Sequence, residues 1–302
     1  MKNNITIIIP TFNRKQLVTN LVNTLLHSPL AQAPIIVLDN CSTDGTREAV
    51  QSFTQEHPNI SLVTNAYNMG LAGNIVKALE LAYTCKTDYF WILFDDTKLD
   101  FTCWNEVETY LQQNKPVIIT TNYYQVTVDD LAPIFLMLIY PFAAIYQTRL
   151  LTPVILLKAL TDIYTIHPQM AFLCELFNKK VPLTLASHNI ALPSANPEKE
   201  YSFNRVKDFT HIRLSNPAWY VPGFLNAIEP LEQPLKRKCI DLLFTTYHNC
   251  GPYITEEWGI PHLALWHKTT LLDMLSLLPL KYKRKFIKLL LKSSWRHYVQ
   301  HK

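Results

Sequence analysis

The stretch Tyr89-Phe90-Trp91-Ile92-Leu93-Phe94-Asp95-Asp96 sets two neighbouring carboxylates at the end of an unbroken apolar run. Such a run reads as a strand covered on both faces, the kind found in parallel sheets. Acids at the carboxyl end of that strand stand where open α/β sheets bind ligands. Two adjacent negative charges beside a core repel each other and are costly unless something positive lies between them. A hard divalent cation meets that need, and Mg²⁺ or Mn²⁺ on one or two carboxylates usually also holds a phosphate. An Asp pair capping the next helix is the plainer use of the same residues.

Working outward, strands and helices alternate over the first 120 residues. Ile5–Ile9 is a β-branched run, followed by Leu17, Leu21, Val22 and Leu25 at helical spacing. Ile35–Leu38 forms the next strand and ends at Asp39. The turn-rich loop Asn40–Gly45 leads to a helix from about Thr46 and a strand at Ile60–Val63. A polar loop over Asn68–Gly73 precedes a helical stripe of Ile75, Ala78, Leu79 and Ala82. Beyond the opening stretch come a helix marked by Trp104, Val107 and Leu111 and a strand at Val117–Ile119. Strands separated by helices of about ten residues imply βαβ units and a parallel sheet.

The pattern loosens after Thr121. Leu131–Tyr146 carries no charge, but Pro133 and Pro141 split it, and about 20 uninterrupted apolar residues are needed to span a membrane. A helix and then a buried strand at Phe142–Tyr146 is the expectation. Met170, Leu173, Cys174 and Phe177 form a helical stripe with Pro168 at its first helical position. Pro182–Leu192 reads as extended. Beyond about Asn216 the chain reads as helical, broken at Pro217, Pro222, Pro230, Pro234 and Pro279.

The 302 residues, 48% hydrophobic and 17% charged, suffice for one large domain or one domain with an extension. Only 6 Gly occur, which argues against flexible linkers. The six cysteines form no CxxC pair, so a zinc cluster is not expected, and free thiols in a reducing cytoplasm are the simplest reading. Ile5–Ile9 is too short for a signal-peptide core. From Lys281 onward there are eight Lys/Arg and no Asp/Glu, against 20 basic and 24 acidic residues elsewhere. Lys281, Lys285, Lys288, Lys292 and Arg296 recur at helical steps, with Ile287, Leu290, Leu291, Trp295 and Tyr298 opposite. A basic amphipathic helix over 281–302 suits an anionic membrane surface. Packing on the body or an oligomer contact would use the same apolar side. Nucleic acid is a poor partner for an acidic body without a nucleic-acid motif.

Three loops end successive strands: Pro10–Arg14, Asp39–Thr46 and Asp95-Asp96. In a doubly wound sheet they converge on one crevice, with chemistry suited to a nucleotide: an acceptor for a base N–H, polar groups for ribose, a cation for phosphates. Each residue also has a local use. Thr11 or Asn13 would cap the first helix, Asp39 a turn, and Asn74 its own helix, while Gly70 would supply a positive φ.

Four segments in order resemble family 2 glycosyltransferases of the GT-A fold, of the bacterial surface-polysaccharide and lipopolysaccharide type. They are Ile-Thr-Ile-Ile-Ile-Pro-Thr-Phe-Asn-Arg from Ile5, Ile-Val-Leu-Asp-Asn-Cys-Ser-Thr-Asp-Gly-Thr from Ile36, Asn-Met-Gly-Leu-Ala-Gly-Asn from Asn68 and Trp-Ile-Leu-Phe-Asp-Asp from Trp91. The resemblance implies an α/β, Rossmann-like GT-A domain over 1–215, with a mostly parallel central sheet flanked by helices, and a helical C-terminal extension over 216–302. It implies inverting transfer of a sugar from a nucleotide sugar to an acceptor hydroxyl of a growing glycan or lipid-linked acceptor, at the inner face of the cytoplasmic membrane. Carried over by position, Pro10, Thr11 and Asn13 line the nucleotide site. Asp39 accepts from the imide of the base, favouring UDP or dTDP. Asn68 and Gly70 shape the pocket, Asp95 approaches the ribose or sugar, and Asp96 binds Mn²⁺ or Mg²⁺. Thr97 stands where the family often has a third acid.

The catalytic base is expected at a helix start after the fifth strand or so, where this chain reads Thr165-Ile166-His167-Pro168-Gln169. His167 and Asp162 are the candidates, and His211 is a candidate second metal ligand. A sugar-phosphate nucleotidylyltransferase needs a glycine-rich first loop, which Pro10–Arg14 is not, and no GxGxxG marks a Rossmann oxidoreductase. A non-catalytic nucleotide-sugar-binding or scaffold protein with a decayed site is the alternative reading.

Overall fold

The computed structural model describes residues 4–122, 125–163, 167–192 and 220–245, together with Leu280, Lys283, Arg284 and Ile287. The first half alternates as the sequence leads one to expect: β1 (Ile5–Thr11), α1 (Lys15–Leu26), β2 (Ile35–Asp39), α2 (Thr46–Glu56), β3 (Ile60–Thr64), α3 (Gly70–Thr84) and β4 (Tyr89–Ile92). Both faces of β1 and β4 are buried and those of β2 nearly so, whereas β3, at the edge of the sheet, exposes Ser61. Ile7, Ile9, Tyr89 and Trp91 lie in one core layer with Val18, Leu21 and Val22 of α1. Ile8, Phe90 and Ile92 lie in the other with Ile75, Leu79 and Ala82 of α3. The period-two alternation of the pleat thus sends neighbouring apolar residues into opposite layers, and so no polar break appears in the sequence.

The second half comprises β5 (Lys98–Leu99), α4 (Trp104–Gln112), β6 (Val117–Ile119), α5 (Leu131–Leu138), β7 (Ala144–Gln147), α6 (Pro153–Thr161), α7 (Met170–Asn178), β8 (Leu183–Leu185), β9 (Ala191–Leu192), α8 (Tyr220–Ala227) and α9 (Leu235–Thr245). The main sheet has seven strands in the order β3-β2-β1-β4-β7-β6-β8. All its pairings are parallel except those of β7, which runs antiparallel to both β4 and β6. A 3₁₀ turn at Pro141–Ala143 feeds the chain directly into β7. β5 and β9 form a separate antiparallel pair.

Several expectations are corrected in detail. The strand expected to reach Phe94 stops at Ile92, although the Leu93 N–H still bonds to the Ile8 carbonyl, and the chain turns at Asp95-Asp96. Pro168 precedes α7 by two residues instead of occupying its first position. Pro182–Leu192 is two short strands around a bend. Pro222 lies in the first turn of α8, where a missing N–H is harmless, and so does not break the helix. α6 has no counterpart in the sequence reading: its Pro153–Leu157 run has no clear period, and Val154, Leu157 and Leu160 are exposed.

The boundary expected near 215 falls among residues outside the described ones. On its far side, Phe224, Leu225, Ala227, Cys239 and Ile240 join the same core as α5 and α7. Cys174 Sγ also donates to the Ala227 carbonyl at 3.4 Å. His211 lies outside the described residues, as does the expected 281–302 helix apart from Lys283, Arg284 and Ile287, which are helical. Among the described residues no helix is long and apolar enough to cross a membrane.

Candidate active site

The sheet order reverses direction at β1, which has β2 on one side and β4 on the other. The crevice at the carboxyl ends of β1 and β4 is therefore the topological switch point, where ligands bind in such sheets. Register places Thr11 beside Asp39 across β1 and β2. Across the switch point, Thr11 Oγ1 donates to Asp95 Oδ2 at 2.6 Å. Pro10 is buried in β1 opposite Leu38.

The three loops are braced together. Asn13 takes a left-handed conformation (φ 51°), which Asn tolerates better than most residues. There its N–H donates to Ser42 Oγ at 2.8 Å and its Oδ1 accepts from the Thr43 N–H at 2.8 Å. Neither Thr11 nor Asn13 caps α1. The N–H of Lys15 is taken by Asp44 Oδ2 at 3.0 Å, so the second loop caps the first helix. Burial alone would push the Asp44 carboxyl up, but hydrogen bonds from Thr46 and Lys15 outweigh it and hold the pKa below the ordinary value.

Asp39 is fully buried, and both its oxygens face the Ser42 N–H at 3.2 Å, the turn-capping use of that residue. Asn68 Oδ1 accepts from the Gly70 N–H and from Asn40 Nδ2, at 2.8 and 2.7 Å. Gly70 has φ 71°, the positive value expected of it. Asn74 is not a cap. It is buried within α3 and accepts from Asn65 Nδ2 at 3.0 Å, while Asn65 Nδ2 also donates to Asn40 Oδ1. Asn40, Asn65, Asn68 and Asn74 thus form one amide network tying the end of β2 to the start of α3.

The positive group between the two acids is Arg14. Its Nη1 lies 2.7 Å from Asp95 Oδ1 and 3.5 Å from Asp96 Oδ2. Burial is the largest influence on Asp95 and raises its pKa. Arg14 and Thr11 act the other way, and the neighbouring charge of Asp96 adds to the rise. Asp96 is the more open of the pair, its side chain 26% exposed against 4%. Thr97 Oγ1 is buried with no hydrogen-bond partner among the described residues.

This donor set suits a hard cation that takes one or two carboxylates and draws its other ligands from a phosphate. Among the described residues no group of three or more His, Cys, Asp or Glu stands ready to hold a metal.

The candidate bases lie on the segment joining α6 to α7. Asp162 closes α6 and pairs with Lys158 at 2.7 Å. Its neighbour Ile163 lies against Gly73 in the first turn of α3. His167 is buried edge-on to Phe224 (ring centroids 6.4 Å apart), and burial pulls its pKa down to about 4.

The sequence reading gave no role to Arg14, Asn40, Asp44 or Asn65. For Arg14 a signal was present: a basic pair, Arg14-Lys15, just past β1, opposite an acid pair just past β4. The asparagines carry no such signal, since polar loop residues look alike until the loops meet.

The mixed sheet resembles solved glycosyltransferases. The structure of S. aureus TarS 1–349 in complex with UDP-GlcNAc aligns with a TM-score of 0.64 at 15% identity, covering 92% of this chain and 82% of that one. The mannosyltransferase PcManGT from Pyrobaculum calidifontis, in complex with GDP-Man and Mn²⁺, aligns at 0.54 and 14%, covering 97% and 87%. These likenesses establish the GT-A fold.

In sequence, the abequosyltransferase RfbV of Salmonella typhimurium is 29% identical over 113 residues, 36% of this chain and 33% of the relative. The putative teichuronic acid biosynthesis glycosyltransferase TuaG of Bacillus subtilis is 32% identical over 78 residues, 26% of this chain and 31% of the relative. The chain thus spans about a third of the length of these relatives. The family model for glycosyl transferase family 2 matches residues 6–175, the span that builds the crevice and its braced loops, and the chain belongs to that family.

Proposed function

We propose that the chain transfers a glycosyl group from a UDP- or dTDP-sugar to a hydroxyl of a growing glycan, with inversion, and that a lipid-linked surface polysaccharide or lipopolysaccharide is the acceptor class. The observation that carries this reading is the Thr11–Asp95–Arg14–Asp96 cluster at the switch point of the sheet. The family, and the names of the relatives, an abequosyltransferase and a putative teichuronic acid biosynthesis glycosyltransferase, support it.

In this reading Pro10, Thr11 and Asn13 line the nucleotide site, and Asn68 and Gly70 shape its pocket. Asp39 accepts from the base once the Asn40–Thr43 loop gives way, because its carboxylate is fully buried as it stands. Asp95 orients Thr11 and Arg14 toward the sugar-diphosphate, and Asp96 holds Mn²⁺ or Mg²⁺. A bound cation would neutralise charge developing on the leaving diphosphate. The acceptor oxygen forms the new bond to the anomeric carbon, the bond to the diphosphate oxygen breaks with its electron pair, and the acceptor proton passes to a base. The two candidates are Asp162, which is paired with Lys158 at 2.7 Å, and His167, whose ring is buried against Phe224 with its pKa lowered to about 4. The 281–302 segment is proposed to rest on an anionic membrane, which co-sedimentation with phosphatidylglycerol vesicles tests; no difference from neutral vesicles would count against it.

Release of UDP or dTDP from a panel of nucleotide sugars, with Mn²⁺ or EDTA, tests the reading in wild type and Asp96→Ala. Metal-dependent release lost in the variant is expected. UDP-induced, metal-dependent thermal stabilisation without release would favour the binding-only alternative. Neither signal with any nucleotide would overturn this use of the crevice.

A further inference from the structure

We propose that Arg14 is a built-in competitor for the divalent cation at the Asp95–Asp96 pair, so that cation binding requires the guanidinium to release Asp96. This rests on the reading of Asp96 as the cation's carboxylate.

Two adjacent carboxylates, one of them in the core, need a positive charge between them. The structure meets that need from within the chain. Arg14 is 12% exposed, and one nitrogen serves both acids, close to Asp95 and longer to Asp96. The two grips are unequal. Asp95 is satisfied on both oxygens, by Arg14 and by Thr11. Among the described residues Asp96 has only the 3.5 Å contact, near the limit of a hydrogen bond, and its side chain is 26% exposed. Asp96 is thus the acid that can be surrendered, and Asp95 the one that retains the arginine. A cation within bonding distance of Asp96 would sit beside the guanidinium, and like charges at a few ångströms repel strongly in a partly desolvated crevice.

The backbone gives Arg14 a fixed base. It stands at the N-cap of α1, where its carbonyl accepts from the Val18 N–H at 3.0 Å and the next N–H is held by Asp44. Swinging the side chain therefore leaves the loop braced. The consequence is a site neutralised at rest, which gains a cation readily only when a phosphate supplies further ligands.

The test is Mn²⁺ binding to the full chain without nucleotide, read from the electron paramagnetic resonance signal of free Mn²⁺. Wild type is compared with Arg14→Gln, which keeps an N–H donor without the charge, with Arg14→Lys, which keeps the charge, and with Asp96→Ala. Arg14→Gln is expected to bind at least about tenfold tighter than wild type, and Arg14→Lys within about threefold of it. Equal or weaker binding by Arg14→Gln would overturn the competition. If Arg14→Gln folds only with Mn²⁺ present, the cation is replacing the guanidinium, as the proposal requires. If it fails to fold with or without Mn²⁺, the arginine is structural and the proposal is wrong. Asp96→Ala separates the two levels: Mn²⁺ binding that survives it would remove the metal reading of Asp96 itself.

Discussion

Acidification should destabilise the protein through His167. The ring is buried against Phe224, and burial alone lowers its pKa from 6.5 to about 4. Between those values the unfolded chain binds a proton at this site and the native state does not, so stability rises with pH across the window and falls as pH drops through it. Above 6.5 the contribution is flat, because the ring is neutral in both states. At about 1.4 kcal/mol for each pH unit, the full window is worth about 3 kcal/mol. The assay is urea unfolding followed by tryptophan fluorescence, from neutral pH to about 4, for wild type and His167→Gln. Carboxylates elsewhere act alike in both proteins, so the difference isolates the ring. Wild type is expected to lose about 3 kcal/mol more than the variant across that range. Parallel pH dependences would refute the reasoning.

Asn40→Ala removes the hub of the asparagine network, leaving the Met69 N–H without its side-chain acceptor and the Asn65 amide with Asn74 alone of its two; a stability loss of about 1–3 kcal/mol and weaker UDP binding by calorimetry are expected. Unchanged UDP affinity would show that the network does not support the nucleotide pocket. Gly73→Ala would place a Cβ 2.7 Å from Met69 Cβ. It should therefore lower the melting temperature despite the better helix propensity of alanine, and a rise would mean that the first turn of α3 yields freely. Trp91→Phe loses the Nε1 bond to the Phe142 carbonyl, 2.9 Å, and part of the stack on Trp104. Denaturant unfolding should show a cost of about 2–4 kcal/mol, and a loss below about 1 would mean the core closes over the gap.

The N-terminal half was legible because its apolar runs are covered on both sides. Ile5–Ile9 and Tyr89–Ile92 leave no choice of exposed face, and turn-rich loops punctuate them. The loops at the crevice were legible as a group, since strand order alone brings them to one edge. What each side chain does was not. Asp39 could be read as a ligand acceptor or as a turn cap, and the structure shows its contact to the Ser42 N–H, while Asn74 was expected at a helix end and instead lies inside α3. The amide bonds from Asn40 to Asn65 and Asn68 depend on contacts 25 and 28 positions apart, for which local pattern gives no measure. α6 was missed because periodicity is the main signal for a helix and its apolar residues fall on both faces.

The antiparallel β7 has a consequence for the order in which the sheet can assemble. β1 to β4 form a contiguous parallel block as soon as residue 92 is available, but one edge of β4 then stays unpaired. β6 bonds only to β7 and β8, both later in the chain, so it cannot close that edge itself. A ribosome-bound chain that has emerged only as far as Ile119 therefore presents an open, hydrophobic strand edge, the feature that seeds aggregation. Ala144–Gln147 is the piece that joins the two halves, and synthesis reaches it only after the uncharged Leu131–Tyr140 segment has also emerged. The vulnerable interval in the life of this protein is thus set by the distance along the chain between β4 and β7.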